Sequence, residues 1–249
     1  LMARKAEVGS LMFTREYMCV PISTGTSLFN PEHLDNAKNK DLVLKPLRRD
    51  GYKYFVGVDP AISTDGDYNV ITVIEMDEDE NKSIVYVDRS KNVQFRENIQ
   101  KVKLIGQLFR PEVILFETNT FAKSFTQELR QVADLNVHDF DTTRRKKQEI
   151  ILNLQMSLEN GKINFPYGNE ESRRVSSLLI EEMSMFAITE RGKFEGIGAH
   201  DDMVMSLALA NAATYQSSEA FILLDDLGLF DDGGGGQNPQ RMNSIGLNF

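Results

Sequence analysis

Three stretches of this chain end or begin an apolar run on an acid. Asp59 closes "YFVGVD", Glu117 closes "VILFE", and Asp201 and Asp202 open "DDMVMSLALA". Hard divalent cations such as magnesium and manganese take oxygen ligands. Two of them held about 4 Å apart clamp both the attacking and the leaving oxygen of a phosphodiester. A site of that kind needs carboxylates delivered from different elements to one place, and these acids are the candidates for it. Asp65, in "STDGDYN", is a second-tier ligand that a tight loop would return toward Asp59.

Each acid also has a plainer reading. Asp59 precedes Pro60, and Asp-Pro opens turns. Asp201 and Asp202 suit a helix N-terminus, where acids cap free N–H groups and oppose the dipole. Glu117 is harder to explain that way, because an unpaired charge at the end of a buried strand is costly and calls for a partner or a cation. Asp65 and Asp67 are loop acids in the plain reading, His200 is a helix-entry residue and His138 a structural one.

The elements that must position these residues follow from periodicity. Three strands are expected at 54–59, 69–77 and 83–89, the last two joined by "EDENK". Phe95, Ile99, Val102 and Phe109 recur at helical spacing and predict a helix over 94–110. "EVILFET" is an uninterrupted apolar run of strand length, the pattern of a strand covered on both faces. Phe121, Phe125, Leu129 and Val132 predict the next helix, "NVHDF" a short strand, and Ile150, Leu154 and Leu158 a further helix stopped by "NGK". A helix over about 170–184, a hairpin turning at "ERGK" and a last helix starting near His200 complete the order.

The fold class is therefore α/β, a mixed sheet of a three-stranded meander plus parallel strands, with helices on both faces and an auxiliary β-hairpin. If the first and fourth strands are adjacent and parallel, their C-terminal ends coincide, and ligands bind there in open α/β sheets. Three parts are expected: a lead-in over 1–50, the main domain over 51–216, and a flexible acidic and glycine-rich tail over 217–249 that holds four consecutive glycines.

Composition narrows the class. The 249 residues include one cysteine, Cys19, so neither a disulfide framework nor a cysteine-rich zinc site is available. The formal charge of −9 argues against a broad surface that coats nucleic acid, although a local basic patch remains open. With no apolar run of spanning length and no charged-then-apolar leader, a soluble intracellular protein without membrane contact is expected. The opening "LMARKAEVGS" suggests a piece of something longer.

"FVGVDPAISTDGDYNVITVI", "VILFETN" and "GAHDDMVMSLALA", in this order, resemble the three acidic motifs of the nuclease domain in the large subunit of tailed-bacteriophage terminases. The upstream "FTREYMCVPISTGTSLF" is similar to the stretch that joins the ATPase domain of such proteins to the nuclease. The resemblance covers roughly 10–215. It implies an RNase H-like fold of the resolvase–integrase superfamily and a metal-dependent endonuclease that cuts concatemeric double-stranded viral DNA with two Mg2+ or Mn2+ ions, leaving 5′-phosphate and 3′-hydroxyl ends. By that matching Asp59, Glu117 and Asp202 form the catalytic, metal-binding triad, with Asp59 bridging both ions, and Asp65 and Asp201 are auxiliary ligands. Many relatives carry a further aspartate where this chain has Met205. It also implies an ATPase domain, a terminase small subunit and a portal as partners, and work in the host bacterial cytoplasm at the procapsid portal. No G-x-x-x-x-G-K-[ST] phosphate loop occurs in the sequence, so the ATPase half is expected to be missing.

For DNA contact the candidates are Arg144, Arg145, Lys146 and Lys147, a basic run at a helix start where it opposes the dipole, and Arg191 and Lys193 at the hairpin tip. Three rival readings stay open. A junction resolvase would share the fold, but the lead-in argues against it. An actin-like ATPase would need glycine-rich phosphate loops. A non-catalytic scaffold or portal-docking module would leave the acids as caps and turns.

Overall fold

Runs with no polar alternation become the middle of the sheet, because only there are both faces covered. In a computed structural model that describes residues 27–60, 68–93, 95–118, 123–133, 135–189, 193–197 and 200–216, "KYFVGVD" forms β2 (Lys53–Asp59) and "NVITVIEM" forms β3 (Asn69–Met76), nearly all of it buried. β4 (Lys82–Ser90) closes the meander, and β5 (Val113–Thr118) and β6 (Val137–Asp141) extend the sheet on the other side. Asp65, Arg191, Cys19, the first 26 residues and the tail from 217 lie outside the described residues.

Among the described residues the sheet has seven strands in the order β1-β7-β4-β3-β2-β5-β6, where β1 is Lys38–Asn39 and β7 is Ile163–Pro166. β2, β5 and β6 run parallel, and β3 is antiparallel to both of its neighbours. Two of its strands go beyond the sequence expectation. β1 (Lys38–Asn39) and β7 (Ile163–Pro166) are two and four residues long, too short for a period to register, and they exist because β7 pairs in parallel with both β4 and β1. A short helix, α1 (Pro31–Asn36), precedes β1, capped by Asn30 and entered through Pro31.

Helices cover both faces. α2 (Phe95–Phe109) and α3 (Lys123–Ala133) lie on one, where Ile99, Val102, Phe109 and Leu129 pack on Val56, Val58 and Phe116. On the other lie α4 (Arg144–Glu159), α5 (Glu170–Ser184) and α6 (Asp202–Gln216), packed on Phe55, Val70, Leu115 and Phe165. Leu28, Phe29 and Leu34 of the lead-in join this second core. Thr143 and Asn169 cap α4 and α5 with their side chains, and "NGK" ends α4 with Gly161 at φ +63°. Buried from 203 to 214, α6 is the central helix, apolar all round because the sheet lies below it and α4 and α5 flank it. β8 (Phe186–Ile188) and β9 (Phe194–Gly196) form the separate hairpin.

Candidate metal centre and nucleic-acid interface

Alternation along a strand decides which face an acid shares. Phe55 and Leu115 face the α6 core, so Asp59 and Glu117, an even number of residues on, face it too. Register then decides how far apart they are. Val58 is paired with Phe116 across the parallel β2–β5 ladder, which makes Asp59 and Glu117 the next residues on neighbouring strands.

α6 brings the other acids through an unusually close approach. A Cβ on Gly57 would stand 2.1 Å from Ser206 O and 2.4 Å from Ala210 N, so only glycine lets the helix backbone rest on β2 here. Ser206 Oγ donates to Gly57 O at 3.0 Å and stands 2.9 Å from Thr72 Oγ1. Ser206 lies one helical turn beyond Asp202 and Gly57 lies two residues before Asp59, so this contact sets the acids of α6 over the end of β2.

The acids act on one another. Burial is the largest cause that raises the Asp59 carboxyl well above the ordinary carboxylate range, followed by the charge of Glu117, a hydrogen bond with it, and the charges of Asp202 and Asp201. Among the described residues no three His, Cys, Asp or Glu side chains form a ready coordinating group. The outer acids are directed elsewhere: Tyr68 N–H donates to Asp202 Oδ2 at 3.1 Å, His200 Nδ1 is 3.6 Å from the same oxygen, and Lys147 Nζ donates to Asp201 Oδ2 at 2.9 Å. A cation standing among the acids would favour the charged form of Asp59 and oppose that rise.

The structure brings one of the basic candidates into this group, since Lys147 sits on the first turns of α4 with its ammonium at Asp201 and 5.7 Å from the Phe186 ring of the hairpin. Arg144 and Arg145 lie exposed just before it, and Lys146 is half-buried. Lys193 is exposed at the start of β9, where its N–H donates to Thr189 Oγ1. His138 lies on the edge strand β6, 2.8 Å from Asn136 Oδ1 and away from the acids.

The family model for the terminase RNaseH-like domain matches residues 56–213, more than half of the chain, and its span includes Asp59, Glu117, Asp201 and Asp202. The chain belongs to the terminase RNaseH-like domain family. Among solved structures, the large terminase nuclease from thermophilic phage G20c with bound magnesium is 21% identical over 77% of this chain and 98% of that one, with a TM-score of 0.57. The Thermus phage P74-26 large terminase nuclease domain is 21% identical over 75% and 95%, at 0.53. The HK97 bacteriophage large terminase is 12% identical over 85% of this chain and 50% of that one, at 0.56. At these identities the likeness carries the fold alone. No curated protein sequence matches the chain.

This terminase domain also holds residues near its acids that the sequence reading passed over. Glu182 of α5 accepts from Met203 N–H at 2.9 Å, next to Asp202, and pairs with Arg89 at 3.2 Å. Burial raises its carboxyl from 4.5 to about 7, with Asp202 adding to the rise and Met203 N–H and Arg89 opposing it. Arg89 stacks on Tyr68, which donates to Asp202, so Asp202, Tyr68, Arg89, Glu182 and Met203 form a closed ring of contacts. A sequence signal for Glu182 existed. It falls on the buried stripe of α5 with Ser172, Ser176, Leu179 and Met183, where a charge needs a reason.

Proposed function

We propose that this domain is a divalent-cation-dependent endonuclease that hydrolyses phosphodiester bonds of concatemeric double-stranded viral DNA during packaging. The observation that carries the reading is the crowding of the Asp59 carboxyl by Glu117, Asp202 and Asp201 at the C-terminal end of a parallel strand pair. Carboxylates from three elements, near enough to act on one another, suit hard cations, magnesium or manganese, which would draw the outer acids inward, and two of them would balance that much charge. Asp59, Glu117 and Asp202 would hold them, with Asp201 and Asp65 as auxiliary ligands. The phage G20c terminase nuclease, which has this fold, has bound magnesium, which supports a divalent cation as the cofactor.

Bound there, such cations make hydroxide available near neutral pH and stabilise charge on the leaving 3′ oxygen. The protein's own groups prepare the site. Burial and the neighbouring Glu117 raise the Asp59 carboxyl, so the pocket is one that a bound cation would relieve. Tyr68 N–H and the Glu182 cap on Met203 hold Asp202 and the start of α6 in place. Lys147 restrains Asp201, and Arg144, Arg145, Lys146, Lys147, Arg191 and Lys193 would contact the DNA backbone. Hydrolysis leaves 5′-phosphate and 3′-hydroxyl ends.

The domain would work beside an ATPase domain, a terminase small subunit and a portal, in the host bacterial cytoplasm. Among the described residues no helix is long and apolar enough to cross a membrane. The test is nicking of supercoiled plasmid in Mg2+ or Mn2+, with EDTA and Asp59→Asn as controls. Cleavage that requires the cation and vanishes in Asp59→Asn is expected. Undiminished nicking by Asp59→Asn overturns the reading.

A further inference from the structure

The acidic end of the sheet carries a second group of side chains, gathered on Tyr68 and including two cations. Tyr68 stands just before β3, and Arg89 and Lys91 lie at the end of β4, in the register Val70 to Arg89 and Asn69 to Ser90. The Arg89 guanidinium carbon is 3.4 Å from the centre of the Tyr68 ring and Lys91 Nζ is 4.4 Å from it. His200 meets the same ring edge-on at 5.1 Å. Tyr68, Val70 and Thr72 share one face of β3, and Val70 packs against the α6 core, so Tyr68 lies on the face that carries Asp59. With the strand order β4-β3-β2-β5, Tyr68 sits one strand from Asp59 and Arg89 and Lys91 two strands away, about 5 and 10 Å at the usual strand spacing.

A purely structural role covers only part of this. Glu182 accounts for one cation, Arg89, and even there Arg89 Nε is buried with no acceptor among the described residues. Lys91 is exposed, and its ammonium shares the Tyr68 ring with the Arg89 guanidinium, placing two like charges around one ring. Such a pair favours the arrival of an anion. Two cations held over one ring make a compact positive site, of the kind that takes a backbone phosphate without reading sequence.

We propose that Tyr68, Arg89, Lys91 and His200 grip the phosphodiester backbone of the DNA strand beside the bond that is cut. The proposal rests on the nuclease reading and extends it, because it names the residues that seat the neighbouring phosphate. It also gives the Tyr68 N–H bond to Asp202 a use: the residue that touches the backbone is the one that orients a metal-holding carboxylate, so arrival of DNA and ordering of the site are linked.

The test is fluorescence anisotropy of a labelled oligonucleotide duplex with the whole chain in Ca2+ and in EDTA, over a range of salt. Lys91→Ala should weaken binding roughly fivefold, as removal of one exposed ion pair does, and Lys91→Glu more. The slope of log affinity against log salt should fall in magnitude by about 0.9, the value for one phosphate left without its cation. Tyr68→Phe keeps the ring and should bind better than Tyr68→Ala. Lys53→Glu, exposed at the opposite end of β2, should leave affinity unchanged. Unchanged affinity and salt slope in Lys91→Glu, or a weakening matched by Lys53→Glu, overturns the grip whether or not the wild-type protein nicks plasmid. Normal binding by wild type without nicking counts against the nuclease reading and leaves the grip standing.

Discussion

Replacing Gly57 by alanine tests the contact that seats α6 on the sheet. The added Cβ would meet Ser206 O at 2.1 Å, Ala210 N at 2.4 Å and Leu209 Cβ at 2.9 Å, and two of these are backbone atoms of a buried helix that cannot swing aside. Restoring ordinary contact at 3.4 Å requires a shift of 3.4 − 2.1 = 1.3 Å between β2 and α6. Overpacking of this kind costs about 1–3 kcal/mol, which for a chain of this size lowers the melting temperature by roughly 3–10 °C. The same shift stretches the Ser206 bond to Gly57 O and carries Asp202 away from Asp59. Misplacement of reacting groups by about 1 Å costs on the order of 10²-fold in rate. Thermal unfolding followed by circular dichroism and plasmid nicking in Mn2+, both on purified Gly57→Ala, read the two effects. A variant with wild-type melting temperature and wild-type nicking would refute the claim that this helix–strand contact builds the site.

Further outcomes follow from the charges. Because the Asp59 carboxyl is raised, the native state holds its proton more tightly than the unfolded chain. Cation-free protein should then lose stability as pH rises from the ordinary carboxylate range through the raised value, and Asp59→Asn should flatten that loss in pH-dependent melts. Mg2+ at a hundredfold excess over its dissociation constant should stabilise the wild type by about 2.7 kcal/mol and leave Asp59→Asn nearly unmoved. Glu182 adds a loss of the same sign between pH 4.5 and about 7, so Glu182→Gln should reduce the slope of stability with pH in that window while keeping an acceptor for Met203 N–H. Arg49→Ala should cost about 3 kcal/mol in urea unfolding, since it strands the carboxylate of Glu75, which is 3% exposed within β3 and, among the described residues, otherwise bonded only by Tyr54.

Much of the fold was legible because its signals are local. β5 is an unbroken apolar run, β2 and β3 are rich in β-branched and aromatic residues, and the helix expected over about 170–184 is α5 at Glu170–Ser184, framed by the Asn169 cap. The adjacency of β2 and β5, supposed from the acids at their ends, is present in the ladder. β1 and β7 were missed because a strand of two or four residues has no period of its own and is defined by partners distant in the chain. Glu182 was missed for a related reason, since its partners Arg89 and Met203 are distant in the chain.

Residue types and their order along the chain determined by themselves that acids would end two buried strands and open a buried helix, because burial patterns and helix starts depend on near neighbours. Only the tertiary structure decided which charges meet: that Lys147 faces Asp201, that Glu182 and Arg89 close a ring through Tyr68 to Asp202, and that Gly57 admits α6 close enough to matter. These pairings join residues tens of positions apart through packing distances of a few ångströms, and electrostatic interactions depend on those distances rather than on spacing in sequence.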